Sequence, residues 1–434
     1  VVMENENKTD IDVTKDPFTI LILGNDGRLS DVIIVATVNP ANMIMTLTSI
    51  PRDSYVPIAC YNGGAKDKIT HARGISMQCT IDTVEDLLGI DINFYVEVNF
   101  KGVVEIVDAL GTIEVYSPGT FVGQTSDAER GHKSIWVEEG THPRTGEQVL
   151  AIARERKTAG FDDFVRQKNQ QAIIEALIKK VMNMRSPTTA VNVFNAAGDN
   201  IKTNMSVNQM LELLSMAINN MDNSQLNNAN ILTMYGTRLY GYASYTYNEG
   251  LELPLWIYPL YNGSIEDNSN FIKWNLRSGE SLEIPSAFRY NAEWGAIDKY
   301  FVATSYNETQ IHETMPDFVP SFSGESLSYV QAWAKTRGIS VVVNRIESGN
   351  SRYSSSYAQN AVIGQNQPYG RLVSKISSIT IDVIKHPVNC ALEEFMGEPE
   401  CSTVPNLIGK TLTDSTYKAF IERYGISPKI VYLM

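Results

Sequence analysis

The chain is poor in the residues that most often carry covalent or metal-assisted chemistry. It has five histidines, His71, His132, His142, His312 and His386, and none belongs to an HExxH pattern or a metal-spaced pair. No GxSxG and no Walker sequence occurs, so a serine-nucleophile elbow and a P-loop have no basis. Cysteine is scarce, four residues with no CxxC among them, which excludes zinc knuckles and thioredoxin-type redox chemistry. Positive charge is in deficit: 36 Lys and Arg face 49 Asp and Glu, for a formal net charge of -13. A nucleic acid is therefore repelled rather than held by general electrostatics. Any anionic ligand must instead meet a local cluster of arginines. No run approaches the roughly 18 apolar residues that span a bilayer, and residues 1–10 are too polar and acidic for a signal peptide.

What is present is globular. The chain has 434 residues, 43% hydrophobic and 20% charged, enough for two or three domains. The cysteines form two sequence-local pairs, Cys60 with Cys79 and Cys390 with Cys401. That spacing suits two small disulfide loops in an oxidising compartment, or else four free buried thiols.

Apolar β-rich runs at 18–23, 32–38 and 43–50, separated by short Gly/Asn/Asp turns, predict a three-stranded meander. Asp82 and Glu85 read as a capping box opening a short helix to Leu88, closed by Gly89. A strand over 94–100, a helix over 103–110 and a strand over 113–116 follow. Thr145 and Gln148 repeat the capping-box pattern before a helix reaching Arg156, and a longer helix covers 162–182. Residues 231–284, rich in Tyr and Trp, read as β structure finishing the first domain. Strands alternating with helices place the fold in the α/β class, as a three-layer αβα sandwich.

Beyond residue 314 a loose repeat appears. Pro316-Asp317-Phe318, Gly324, a helical stretch over 329–336 and Gly338-Ile339 recur from Pro405-Asn406-Leu407 through Gly409 and Gly425-Ile426. The predicted organisation is a leader at 1–15, a main α/β domain at 16–285 and a linker at 286–314. A small α+β module at 315–386, a linker at 387–402 with Cys390 and Cys401, and a partial module at 403–434 complete it.

Four groups of residues carry candidate chemistry. Asp26 closes the first strand and Asp31 opens the second, so a tight turn brings two carboxylates to one sheet end. That pair suits Mg²⁺, which takes one or two carboxylates and completes its shell with water and phosphate oxygens, or it simply reflects the frequency of Asp in turns. Arg52, after Pro51 at the end of the third strand, points from a sheet edge, either toward a ligand or into an ordinary ion pair with Asp53. Arg154 and Arg156 lie two apart, so they reach one ligand only where the helix ends; a solvated helix terminus is the alternative. Arg166 and Gln170, one turn apart, head a face continuing through Ile173, Ile174, Leu177 and Val181. A polar head running into an apolar stripe fits a diphosphate with a hydrocarbon tail, and equally a core-facing helix with a polar first turn.

Taken in order, these pieces resemble the LytR-CpsA-Psr family of extracytoplasmic glycopolymer phosphotransferases. The resemblance rests on Leu21-Ile22-Leu23-Gly24-Asn25-Asp26 with Ser30-Asp31, on Ser49-Ile50-Pro51-Arg52-Asp53 and on Gly64-Ala65-Lys66-Asp67-Lys68. It continues through Asp108-Ala109-Leu110-Gly111, Arg154-Glu155-Arg156, and Phe164-Val165-Arg166-Gln167 to Gln170. It covers roughly residues 16–280, and the C-terminal repeats are similar to PASTA modules, known as wall-binding units. The resemblance implies Mg²⁺ or Mn²⁺ on Asp26 and Asp31, a diphosphate on Arg52, Arg154, Arg156 and Gln170, and Arg166 in support. It also implies a lipid tail in an apolar tunnel beside Ile173 and Leu177. Arg52, Arg154, Arg156 and Asp31 are then the catalytic set, with Asp31 or Asp26 accepting the acceptor's proton. The implied donor is a polyprenyl diphosphate-linked glycan of teichoic-acid or wall-polysaccharide type, and the implied acceptor is a peptidoglycan sugar hydroxyl. The implied place is the cell membrane and wall of a Gram-positive-type bacterium, with a membrane helix upstream of Val1. The chain departs from the family pattern at Leu29, where an Arg usually precedes Ser-Asp, and at Asn169, where an Arg usually precedes the final Gln. These departures suit a second reading, a catalytically weakened scaffold that holds glycan through the PASTA-like repeats and Tyr240, Tyr242, Tyr245, Trp256 and Tyr258.

Overall fold

The computed structural model describes residues 10–126, 134–158, 161–184, 186–224, 232–277, 306, 308–311 and 315–386. Two compact units form, one of residues 1–246 and 256–313, the other of residues 247–255 and 314–434.

The first unit opens with the meander. Strands β1 (Phe18–Asp26), β2 (Leu29–Asn39) and β3 (Ile44–Ser49) pair antiparallel, with Ile22 opposite Ile34 and Ala36 opposite Leu47. A short hairpin, β4 (Tyr55–Pro57) with β5 (Lys66–Lys68), leads to helices α1 (Thr70–Ile75) and α2 (Met77–Leu88). Strand β6 (Phe94–Asn99) then runs parallel to β1, and α3 (Phe100–Ala109) follows it. Strands β7 (Ile113–Ser117), β8 (Phe121–Gln124), β9 (Ser134–Val137) and β10 (Gly140–Arg144) make two small ribbons before α4 (Gly146–Arg154) and α5 (Asp163–Asn183). After α6 (Pro187–Ala196), β11 (Ile201–Thr203) and α7 (Val207–Ser224), strand β12 (Thr233–Arg238) lies parallel to β3. Strands β13 (Ser244–Asn248) and β14 (Leu253–Ile257) overlap residues 247–255, which are counted with the second unit, and helix α8 (Asn262–Asn275) is the last described element of the first.

The central sheet is mixed, in the order β11-β6-β1-β2-β3-β12. Period-two alternation along β1 and β2 sends Leu21, Leu23, Ile33 and Val35 to one face, against Val84 and Leu88 of α2 and Ile272 of α8. Ile20, Ile34, Ala36 and Leu47 go to the other face, against Ile174 and Ile178 of α5 and Leu213 of α7. Helices cover both faces, so the three-layer αβα sandwich expected from the sequence is the architecture found. A further cluster packs α3, α4 and the far side of α5 around Ile106, Val149, Ile152 and Ile173. Val13, within the stretch read as leader, is fully buried against the sheet core.

Three expectations need correction. Helix α2 starts at Met77, not near Asp82, because the Ser76 hydroxyl accepts from Cys79 N and caps it there; Gly89 closes it in the left-handed conformation, φ 61°. Helix α4 stops at Arg154 rather than reaching Arg156. Residues 262–275 are helix rather than strand. The Asn-rich sequence of α8 has little helical propensity, and tertiary hydrogen bonds supply what is missing. Asn268, fully buried, donates through Nδ2 to Arg238 O at 3.0 Å and Ser264 O at 2.8 Å, and Asn275 Nδ2 donates to Thr37 O at 2.9 Å.

The second unit contains helix α9 (Leu327–Lys335), capped by Ser326, and strands β15 (Ser340–Ile346), β16 (Val362–Gln365) and β17 (Ser378–Ile384) in the order β15-β17-β16. Strands β15 and β17 are parallel, β16 and β17 antiparallel, and Phe322, Val330, Val362 and Ile381 make a core of their own. The partial second repeat, with Cys390 and Cys401, lies outside the described residues, as does most of the linker at 286–314. Among the described residues no helix is long and apolar enough to cross a membrane.

Candidate functional site

The site gathers at the sheet end where β1 turns into β2 and where β3 and β12 finish. The pairing of β1 with β2 slips between Gly24 and Asn25, and Gly27 in the turn takes φ 73°. Asn25, buried, donates to Glu97 Oε1 and accepts from Ser30 Oγ at 2.9 Å. Arg73 Nε holds Glu97 at 2.7 Å, and Thr70 Oγ1 donates to Ser30 O at 2.8 Å. This polar bracket fixes the segment leading to Asp31. Asp26 closes β1 with its backbone opposite Leu29; its side chain lies outside the described residues.

Arg52 follows β3 after Ile50 and Pro51. Its Nη1 donates to Asp31 Oδ1, its Nε stands 3.6 Å from Asp53 Oδ2, and Lys68 Nζ holds Asp53 at 2.7 Å. Burial works against the Arg52 charge, yet Asp31, Asp53 and Asp163 together hold its pKa above the ordinary value.

Helix α4 ends because the Glu155 carboxylate gathers the next amides: Oε1 accepts from Arg156 N at 2.9 Å, Lys157 N at 2.6 Å and Thr158 N at 2.9 Å. Glu155 turns extended, φ -64° and ψ 132°, so Arg154 and Arg156 are freed from the helical spacing that would set them on different sides. Arg154 Cζ lies 4.3 Å from the Phe100 ring centre, and Arg156 is exposed. In α5, capped by Asp162, Arg166 is only 6% exposed and pairs with Asp163, while Gln170 Nε2 donates to Ala153 O at 3.1 Å. Burial first, then repulsion from Arg52 and Arg156, lowers the Arg166 pKa, against the pull of Asp163 and Asp31. Three guanidiniums thus share one field with two carboxylates. Gln170 ties the end of α4, with Arg154, to the same helix.

The apolar residues of α5 are split. Ile173, Leu177 and Val181 pack into the helix-side cluster, and Ile174 and Ile178 into the sheet-side one. The stripe read from the sequence therefore lies between two apolar layers. Asp163, Glu97, Arg73, Gln171 and Arg238 also belong to this neighbourhood, and sequence reasoning missed them. Asp163 hides beside the cap residue Asp162, and the others are isolated polar residues whose roles come only from long-range packing.

Among the described residues, no group of three or more His, Cys, Asp or Glu is arranged for a metal. Magnesium needs fewer: one or two carboxylates with phosphate and water oxygens suffice. Asp31, a hard oxygen donor beside the arginines, fits that requirement.

A model of the LytR_cpsA_psr family matches residues 2–251, and a model of the PASTA domain matches residues 317–385. An Enterococcus faecalis protein named polyisoprenyl-teichoic acid–peptidoglycan teichoic acid transferase TagU is 36% identical over 221 residues, 49% of this chain and 69% of that protein. The Halalkalibacterium halodurans protein of the same name is 39% identical over 208 residues, 46% of this chain and 65% of that one. The chain thus spans about two thirds of the length of these relatives. Among solved structures, B. subtilis TagV superposes with a TM-score of 0.50 at 27% identity, over 60% of this chain and 98% of TagV. Protein gbs0355 from Streptococcus agalactiae gives a TM-score of 0.52 at 25% identity, over 62% of this chain and 90% of that one.

Proposed function

The chain belongs to the LytR_cpsA_psr family, and on that premise we propose that it transfers a phospho-glycan of teichoic-acid or wall-polysaccharide type from a polyprenyl diphosphate carrier to a peptidoglycan sugar hydroxyl. The observation that carries this reading is that Arg52 pairs with Asp31 and Arg166 with Asp163, while Arg52 and Arg156 both act on the buried Arg166 charge. Arg154 and Gln170 stand at its edge. In an acidic protein, guanidiniums held together at one sheet end suit phosphate oxygens, which they grip in bidentate fashion.

In the proposed reaction the acceptor hydroxyl oxygen bonds to the glycan-bearing phosphorus. The bond from that phosphorus to the bridging oxygen breaks, and polyprenyl phosphate leaves with the electron pair. The hydroxyl proton passes to a carboxylate, Asp31 or Asp26. Such a reaction demands positioning and charge neutralisation more than covalent help from the protein. Arg52, Arg154, Arg156 and Gln170 bind the diphosphate, and Arg166 braces Asp163 and adds positive potential. Mg²⁺ or Mn²⁺, held by Asp31 and Asp26, would neutralise diphosphate charge when bound. Ile173 and Leu177 are proposed to border the lipid tail.

The Cys60–Cys79 disulfide suits an oxidising, extracytoplasmic setting, and we place the protein at a Gram-positive-type envelope with a membrane anchor upstream of Val1. The test is a purified assay with a polyprenyl diphosphate-linked glycan. Arg52→Ala and Arg156→Ala should each abolish most transfer, and unchanged transfer and diphosphate hydrolysis in both would end the assignment.

A second reading, a wall-binding scaffold of weakened activity, draws on the PASTA domain and on Asn169, whose buried Nδ2 has no hydrogen-bond partner among the described residues. Lipid-diphosphate turnover with and without Mg²⁺, measured beside pull-down on isolated wall, separates the two.

A further inference from the structure

Arg238 closes β12 in register with Ser49, three residues before Arg52. It is 5% exposed, with Cζ 4.7 Å from the Phe164 ring centre and 5.0 Å from that of Tyr240. Its polar contacts are neutral and long: Nε donates to Leu239 O at 3.4 Å and Nη2 to the Tyr258 hydroxyl at 3.5 Å. Among the described residues, buried Nη1 has no hydrogen-bond partner and no carboxylate pairs with this guanidinium.

A guanidinium cannot shed its proton, and a buried charge lacking a counterion is costly. Stacking on two rings offsets only part of that cost. An apolar side chain would fill the same slot without the penalty, so the charge calls for an anion from outside the fold. Its position says which anion. Phe164, against which Arg238 lies, sits in the first turn of α5 between Asp163 and Arg166. Gln171 Nε2 ties that helix to the same strand ends, through Thr237 O at 2.9 Å and Ser49 Oγ at 2.7 Å. Arg238 therefore belongs to the sheet end and the helix turn that carry Arg52 and Arg166.

We propose that Arg238 is a further binding residue of this site, holding a phosphoryl oxygen of the substrate. The inference rests on the phosphotransferase reading and adds to it. The oxygen comes either from the donor's diphosphate or from a phosphodiester of the attached glycan, and two probes tell these apart.

The test measures binding of inorganic diphosphate and of glycerophosphoglycerol to the whole chain by calorimetry, for the wild type, Arg238→Met and Arg52→Ala. Arg238→Met should weaken one of the two probes by about tenfold or more, the value of a lost charge-assisted hydrogen bond. The weakened probe identifies the source. The ligand-free variant should melt no lower than the wild type, since an uncompensated charge has gone. Arg238→Gln keeps an amide for Leu239 O and Tyr258 without the charge, and it decides the matter if the Met variant does not fold. If Arg238 variants bind both probes as the wild type does while Arg52→Ala loses diphosphate, the Arg238 inference alone is overturned. If Arg52→Ala also binds normally, the site reading falls and takes this inference with it.

Discussion

Asp31, in β2, accepts a hydrogen bond from Arg52 Nη1, joining the segment after the first turn to the residue just beyond β3. The two side chains are 24% and 28% exposed, so the pair is reachable from solvent yet shielded on most sides. On the proposed reading an arriving diphosphate would meet Arg52 already aimed by a carboxylate, which would reduce the reorientation cost.

Arg52→Ala and Asp31→Ala should each lower transfer by about a hundredfold or more, because removing one electrostatic contact to a transferring group has that size. In a double-mutant cycle on stability the pair should show coupling of about 1 kcal/mol, as expected for a partly exposed ion pair. Additive kinetic losses would show that the two residues act independently.

Chelation should remove transfer and leave folding intact. Added Mg²⁺ should restore activity to the wild type and restore it poorly to Asp31→Ala, measured as turnover against metal concentration. Full activity in chelator would remove the metal from the proposal.

Asn268→Leu should destabilise the first unit by about 2 kcal/mol, since it strips partners from the Arg238 carbonyl and the Thr237 hydroxyl inside the core. Chemical denaturation gives the value. A neutral result would mean that α8 is held by its apolar contacts alone.

Cys60 and Cys79 are bonded across a separation of 19 residues, and opening that loop should cost about 3 kcal/mol by the chain-entropy estimate. Paired Cys60→Ser and Cys79→Ser substitutions should lower the melting temperature, and a reductant should do the same to the wild type alone.

Burial alone would raise the Asp67 pKa, but His71 at 2.8 Å, the Lys68 amide and the Tyr61 hydroxyl hold it below the ordinary carboxylate value. A depressed folded pKa gives stability that is present above the unfolded value, about 3.9, and lost as pH falls through the folded one. The stability gap between wild type and Asp67→Asn should thus be full at neutral pH and close below about pH 4. Thermal melts across pH 7 to 2.5 would show it.

Much of the architecture was legible because it is local. The meander announced itself by its apolar β-rich runs and the Gly/Asn/Asp turns between them, α5 by its helical pattern over 162–182, and the small module by Gly324, Gly338 and its Val-rich strand. What was illegible depended on distance in the chain. Nothing near Asn268 or Asn275 says helix, since the sheet carbonyls that satisfy them come from residues far away in sequence. Asp82 with Glu85 resembled a helix start because no local rule ranks that pair against Ser76. At the site, Arg52, Arg154, Arg156 and Arg166 were visible as residue types in a pattern. The end of α4, set by one glutamate gathering three amides, was not. Arg238 was invisible for the same reason: its meaning lies in lacking a counterion among the described residues, and that is a property of the folded surroundings.

Helix α5 bears Arg166 in its first turn and Leu177 eleven residues on, and Gln171 pegs it to two strands through Leu47 O and Thr237 O. At about 1.5 Å per residue the helix sets roughly 16 Å between the cationic end and that leucine. On the proposed reading the rod would be a molecular gauge with its zero mark at the phosphate and a scale running along its greasy sides. Sliding or swivelling it would shift head and tail contacts together, so variants at Gln171 should alter which carrier lengths are accepted before they alter the chemistry.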